Sequence, residues 1–273
     1  MLFILLLTFS VCVASLPSGY HSTETIFEEI RTLASLHPQL TYHMHDDIMV
    51  VDWNAGSDHL WVMNEHAREV ITAEVALSVI KELVVTNPSV GVTIVPILNV
   101  WGRKRVENGD TCLRKNENGV DTNRNFQITK KHHYRRHSEE YEGTHAISEK
   151  ESKLVSSLLK NSVKRYINIH SGEFSLYMPF DSTTERPPNY ETLKRFINRL
   201  SPLCKQCTVG SAAEKSFYKA FGTSVDYATH LGVEAYTFEI YGKEDSDCMA
   251  MFNPENPTEI TKMWTKILMY TLL

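Results

Sequence analysis

Apolar residues fall into short runs and longer helical stripes that alternate along the chain. Residues 48–53 (IMVVDW) and 60–63 are short apolar runs rich in β-formers, and 92–100 (VTIVPILNV) has the same buried-strand character. Residues 70–85 are apolar at helical spacing, with Pro88 just beyond their end. Residues 148–159 open on Ser-Glu-Lys-Glu, a capping-box start, and carry Leu154, Val155, Leu158 and Leu159 on one stripe. Further on, 166–169 predicts a strand, 190–200 a helix, 235–241 (AYTFEIY) a strand and 260–272 a closing helix. Strand and helix alternating in this way predict one α/β domain with a mixed, mostly parallel, twisted sheet.

The 273 residues are 42% hydrophobic and 22% charged, which is the composition of a globular chain able to bury a core without staples. A net charge of −5 argues against nucleic acid or a membrane surface as the main partner. Residues 1–15 (MLFILLLTFSVCVAS) read as a secretory signal peptide, because the apolar run is short and ends in small residues. That predicts a secreted or secretory-lumen protein and removes Cys12. Four cysteines then remain, Cys112, Cys204, Cys207 and Cys248, which predict two structural disulfides with three pairings open. No second Cys-x-x-Cys is present to complete a four-thiolate zinc site with Cys204 and Cys207. The basic stretch 130–137 (KKHHYRRH) reads as a solvated loop.

Three histidines have glutamate at +3: His66/Glu69, His137/Glu140 and His170/Glu173. The pattern alone does not choose among them. His137 lies in the charged loop. His66/Glu69 falls between a predicted strand and a predicted helix, where ligand sites of open α/β sheets form. If Glu69 lies in the helix's first turn, the two side chains can converge on one ion. His170 also follows a strand, RYINIH. Two histidines and one carboxylate leave a fourth position open, the arrangement of catalytic zinc. Glu239, inside an apolar strand, is costly there unless it has a task or a partner. Arg124, flanked by Asn123 and Asn125, offers a planar fork of donors suited to a carboxylate, and Arg114 adds a second guanidinium.

In order, HARE, NGVDTNRNF, INIHSG, FYKAFGTSVDY and YTFEIYG resemble the zinc metallocarboxypeptidases of the carboxypeptidase A/B type, from about Tyr20 to the end of the chain. The resemblance implies a carboxypeptidase-like sheet with helices on both faces and a catalytic domain over 20–273. It implies His66, Glu69 and His170 as ligands of one zinc ion. It implies Asp121 as the carboxylate orienting His66, Glu239 as general base and acid, and Arg114 as oxyanion stabiliser. Asn123, Arg124 and Tyr218 would hold the substrate's terminal carboxylate, and Arg68 would contact the peptide further from its end. The implied partner is a peptide or protein C-terminus, cleaved by a monomer. Against the family pattern, the catalytic part is expected to start directly after the leader, with no pro-domain and no C-terminal accessory domain expected. Gly172 stands where a tyrosine often follows the third ligand. The A/B pocket-base position falls on Val225, which favours hydrophobic C-terminal residues, while Asp181 in YMPFD matches an aspartate that pairs with Lys or Arg. The balance of the two leans to hydrophobic preference. A zinc amidohydrolase or deacylase on the same scaffold, or an inactive zinc- or peptide-binding protein, are the alternatives.

Overall fold

A computed structural model describes residues 16–55, 58–126, 133–216 and 218–273. The predicted signal peptide, residues 1–15, and part of the basic stretch 130–137 lie outside these residues. Among the described residues, eight strands form one sheet: β1 (Leu40–His45), β2 (Ile48–Trp53), β3 (His59–Met63), β4 (Val92–Val95), β5 (Arg165–His170), β6 (Glu173–Met178), β7 (Thr208–Ser211) and β8 (Glu234–Tyr241). Their spatial order is β1-β2-β4-β3-β5-β8-β6-β7. Strands β4, β3, β5 and β8 run parallel to one another, and β6 pairs parallel with β7. The remaining contacts, β1/β2, β2/β4 and β6/β8, are antiparallel. The helices are α1 (Thr23–Leu36), α2 (Ile71–Thr86), α3 (Val100–Glu107), α4 (Lys150–Leu159), α5 (Tyr190–Leu200), α6 (Ala212–Lys215), α7 (Ser224–His230), α8 (Cys248–Phe252) and α9 (Thr258–Tyr270).

Helices cover both faces, as side-chain alternation along the strands requires. Tyr166 and Ala235 are register partners, and Phe238 lies three residues further along, on the opposite face. The Tyr166 hydroxyl donates to Ser224 Oγ at the start of α7 (2.8 Å), whereas Phe238 packs on Trp264 of α9 (5.9 Å between ring centroids). The central strands β3 and β4 are buried at every residue, as expected of parallel strands covered on two sides.

Two predicted boundaries move. The run 92–100 stops being a strand at Val95, because Pro96 follows and Asn99 caps α3, its side chain accepting from Gly102 N–H (2.9 Å). The capping box at Ser148 does not form: Glu149 is the cap position, and Ser148 Oγ donates instead to Glu149 Oε1 (2.5 Å). Eight elements lie where the hydropathy pattern predicts no such strand or helix: α1, β1, α3, β6, β7, α6, α7 and α8. Strand β1 is an edge strand exposed at five of its six residues, so it lacks an apolar stripe.

The cysteines pair as Cys112–Cys248 and Cys204–Cys207. Among the described residues, no helix is long and apolar enough to cross a membrane.

Candidate metal and active site

His66 and Glu69 lie in the turn between β3 and α2, ahead of the helix and not in its first turn as the sequence suggests. The turn does the work of converging them. Glu69 N–H donates to His66 C=O (3.1 Å), and the buried Asn64 amide donates to His66 C=O (3.0 Å). Asn64 sits at φ 51°, a left-handed conformation that asparagine tolerates. Thr72 at the helix start then fixes Glu69, its hydroxyl donating to Glu69 C=O (2.7 Å).

His170 ends β5 and is a register partner of Glu239 in β8. Both therefore point to one face, the α7 side, at the C-terminal edge of the sheet. His66 Nδ1 lies 2.7 Å from Glu69 Oε1, and His170 Nδ1 lies 3.0 Å from Glu69 Oε2. These three residues are buried, and one ligand atom from each lies within 4.8 Å of the others. Two imidazole nitrogens and a carboxylate converging from separate elements fit zinc, with one side open to a cavity. Burial raises the Glu69 carboxyl pKa, but the two histidines outweigh it and hold Glu69 below its ordinary range. Burial lowers His170, and the Glu69 charge reverses this, taking it up to about 9.

Asp121 stands behind His66. Its Oδ1 lies 3.2 Å from His66 Nε2 and accepts Asn123 N–H (3.0 Å), while its Oδ2 accepts both Arg114 Nε (2.9 Å) and Nη2 (2.7 Å). Burial works against the Asp121 carboxylate, but Arg114 and Arg124 hold its pKa well below the usual range. Ten of the twelve residues singled out in the sequence line one cavity of about 310 Å³: His66, Arg68, Glu69, Arg114, Asn123, Arg124, His170, Asp181, Tyr218 and Glu239. Asp121 lies behind the wall. Val225 does not line the cavity: it is wholly buried in the hydrophobic core, because α7 turns it inward, and Thr223 contributes to the wall instead.

Glu239 is not on an edge strand. Strand β8 lies between β5 and β6, and Glu239 Oε2 is buried with no hydrogen-bond partner. Burial raises its pKa well above normal, and Glu69 and Glu173 add to this against the pull of His170. Arg124 is buried; its Nη1 donates to Asn123 C=O (2.9 Å), and its Nη2 donates to Tyr218 Oη (3.2 Å) and Glu140 Oε1 (3.1 Å). Arg68 donates to Glu139 (2.9 Å) and lies over the Phe252 ring (4.4 Å). Gly222, at φ 75°, presses against the Arg124 carbonyl, which a Cβ there would strike. Asp181 is pushed up to about 7 by burial and by Asp226. The Asp226 carboxylate is itself occupied, accepting Asp181 N–H (2.7 Å) and Ser182 N–H (3.1 Å).

The sequence reading omits a buried polar chain beneath this wall. Asn168 donates to Glu65 Oε2 (2.7 Å) and Ser224 Oγ (2.9 Å), and Ser224 N–H donates to Asn123 Oδ1 (3.0 Å). The chain orients the Asn123 amide so that its NH2 lies 3.3 Å from His170 Nε2. The available signal was Asn168, a polar residue inside an otherwise apolar strand; Glu65, set among polar neighbours after β3, carried none. A larger groove of about 640 Å³ lies between α2 and α9, away from these residues.

Fold and site together define an α/β protein with a buried His-x-x-Glu…His triad able to hold a metal ion at the edge of a mixed sheet. The family model for the zinc carboxypeptidases matches residues 48–269, and the chain belongs to that family. It is 29% identical over 171 residues to mast cell carboxypeptidase A of Rattus norvegicus, covering 58% of this chain and 40% of that protein. It is 26% identical over 270 residues to carboxypeptidase B2 of Bos taurus, covering 82% and 63%. The chain thus spans less than two thirds of the length of these curated relatives. Among solved structures, bovine thrombin-activatable fibrinolysis inhibitor bound to tick carboxypeptidase inhibitor superposes with TM-score 0.78 at 24% identity, over 92% of this chain and 97% of that one. Carboxypeptidase A of Helicoverpa armigera superposes with TM-score 0.80 at 21% identity, over 93% and 73%. Both likenesses are of fold.

Proposed function

We propose that this chain is a zinc metallocarboxypeptidase that removes the C-terminal residue of peptides and proteins. The observation that carries the reading is one cavity holding three different groups: a two-histidine, one-carboxylate donor set, the unpartnered carboxylate of Glu239, and the guanidinium of Arg124. Zinc held by His66, Glu69 and His170 would supply a Lewis acid and an acidified water. Asp121 holds His66 through Nε2 and so leaves Nδ1 for a metal. Glu239, raised by burial, suits a base that takes a proton and returns it to the leaving amine. Arg114, steadied by Asp121, faces the cavity where charge would develop on the scissile carbonyl oxygen. Asn123, Arg124 and Tyr218 form the clamp for the terminal carboxylate, and Arg68 contacts the chain further back.

For the last residue of the substrate, the two pocket positions separate. Val225 is in the core, while Asp181 lies on the cavity wall beside an Asp226 already satisfied by hydrogen bonds. That arrangement supports Lys or Arg over the hydrophobic preference expected from Val225. Entry to the secretory route through residues 1–15, a catalytic domain over 20–273 and action as a monomer belong to the same proposal.

The test is hydrolysis of peptides ending in Phe, Leu, Lys, Arg and Glu, with and without a zinc chelator. Chelator-sensitive release of the last residue is expected, fastest for Lys and Arg. No such release from any peptide would defeat the proposal.

A further inference from the structure

We propose that Glu140 is a built-in competitor for the carboxylate clamp and sets how tightly a peptide's C-terminus is held. The inference rests on the reading of Arg124 as that clamp. Arg124 is 2% exposed, and its Nη2 donates both to Tyr218 Oη of the cavity wall (3.2 Å) and to Glu140 Oε1 (3.1 Å). The Glu140 side chain is 29% exposed and stands outside the cavity lining, reaching the guanidinium from beside the wall while sharing Nη2 with Tyr218. The carboxylate of this chain's own loop therefore occupies the donor that a substrate carboxylate requires.

The loop is held in place by bonds that do not involve Arg124. Asp121 N–H donates to Tyr141 C=O (2.8 Å), Lys115 Nζ donates to Ser138 C=O (2.7 Å), and the Asn125 amide donates to Glu142 C=O (2.7 Å). Asp121 and Asn125 flank the Asn123-Arg124 pair, so the segment 138–142 is fastened to the clamp itself on both sides. Glu140 N–H donates to Ser138 Oγ (3.2 Å), which fixes the residue's backbone. The carboxylate is delivered to Arg124 by a rigid backbone, and only its side-chain torsions remain free to move it away.

A second carboxylate arriving at the same guanidinium meets a like charge a few ångströms away, or displaces Glu140 into water. Displacement is open to it because Glu140 is partly solvated and its backbone need not move. Either route weakens the initial grip on the peptide. Neither touches Glu239 or the metal ligands, so the effect belongs to binding and not to the chemical step. The same competition disfavours substrates with an additional carboxylate near the end.

The experiment uses the full zinc-loaded chain and peptides with a free C-terminus. Glu140→Gln removes the charge and keeps the shape; it is expected to lower KM about fivefold with kcat within about twofold, and to tighten inhibition by the released amino acid by the same factor. Glu140→Asp, which keeps the charge, is expected to stay closer to the original KM than Glu140→Gln. Arg124→Gln is expected to raise KM strongly, and Glu140→Gln added to it should change KM no further. A Glu140→Gln KM equal to or above the original, with Arg124→Gln still raising KM, overturns the competitor and leaves the clamp standing. An Arg124→Gln protein with unchanged KM overturns the clamp itself.

Discussion

Asp121 takes three loads at once: it backs His66, pairs with Arg114 and accepts Asn123 N–H. Replacing it with Asn keeps the shape and removes the charge that these partners share. Zinc affinity, read by titration against a chelating indicator, is expected to fall about 10- to 100-fold. Glu239→Gln makes the opposite split. The ligands are untouched, so zinc should stay bound at the original affinity, while turnover falls about a thousandfold. Full activity in that variant would remove Glu239 from its assigned role. Asp181 carries a pH signature. With its pKa raised to about 7, it is neutral below that pH and charged above it. The ratio of kcat/KM for peptides ending in Lys to those ending in Phe should therefore rise from pH 6 to pH 8. Asp181→Asn should flatten that rise; a ratio independent of pH in the original protein would count against Asp181 as the recognition group.

At the scale of elements, α4 carries a buried liability. Glu151 is fully buried in its first turn, receives one bond from Asn116 Nδ2 (3.0 Å), and leaves Oε1 without a partner. Burial takes its pKa up to about 7. A carboxyl raised on folding contributes stability below its unfolded pKa and loses it as pH rises through the folded value. The protein should thus weaken between about pH 5 and pH 8 through this group. Glu151→Gln removes that titration and should be more stable than the original by about 2 kcal/mol at pH 8, with little difference at pH 5, as read by denaturant unfolding. Elements with a strong apolar stripe, such as α2 and β3, were legible in the sequence because burial on two sides demands such a stripe. Strand β1 was not, since an edge strand with five exposed residues needs no apolar pattern. The end of β4 was legible only through Pro96 and the Asn99 cap, which are local and not periodic signals.

At the scale of the whole molecule, the two disulfides differ in reach. Cys112–Cys248 joins positions 136 residues apart and ties the Arg114 loop to α8, which carries Phe252 of the cavity wall. Cys204–Cys207 closes a separation of three. Loop-closure entropy assigns about 5 kcal/mol to the first and about 2 kcal/mol to the second. Replacing the first pair by serines should lower the unfolding temperature well beyond the loss from replacing the second, and should also weaken peptide binding. Equal losses from the two replacements would contradict the loop-closure account.

The family resemblance chose His66, Glu69 and His170 among the His-x-x-Glu candidates; by itself the sequence determined the alternation of strands and helices and the ionisable residues set in apolar stretches. Those follow from hydrophobic period and from the chemical cost of burying charge, which are properties of residue types. Three matters needed the tertiary structure. It brought ten of the singled-out residues to one cavity, because strands β5 and β8, far apart in sequence, are register partners there. It turned Val225 into the core and left Asp181 on the wall, because the direction of a side chain on α7 depends on what the helix packs against. And it set Glu140 against Arg124. Sixteen residues separate them in the chain, and only the bonds that fold 138–142 back onto 121–125 make them neighbours.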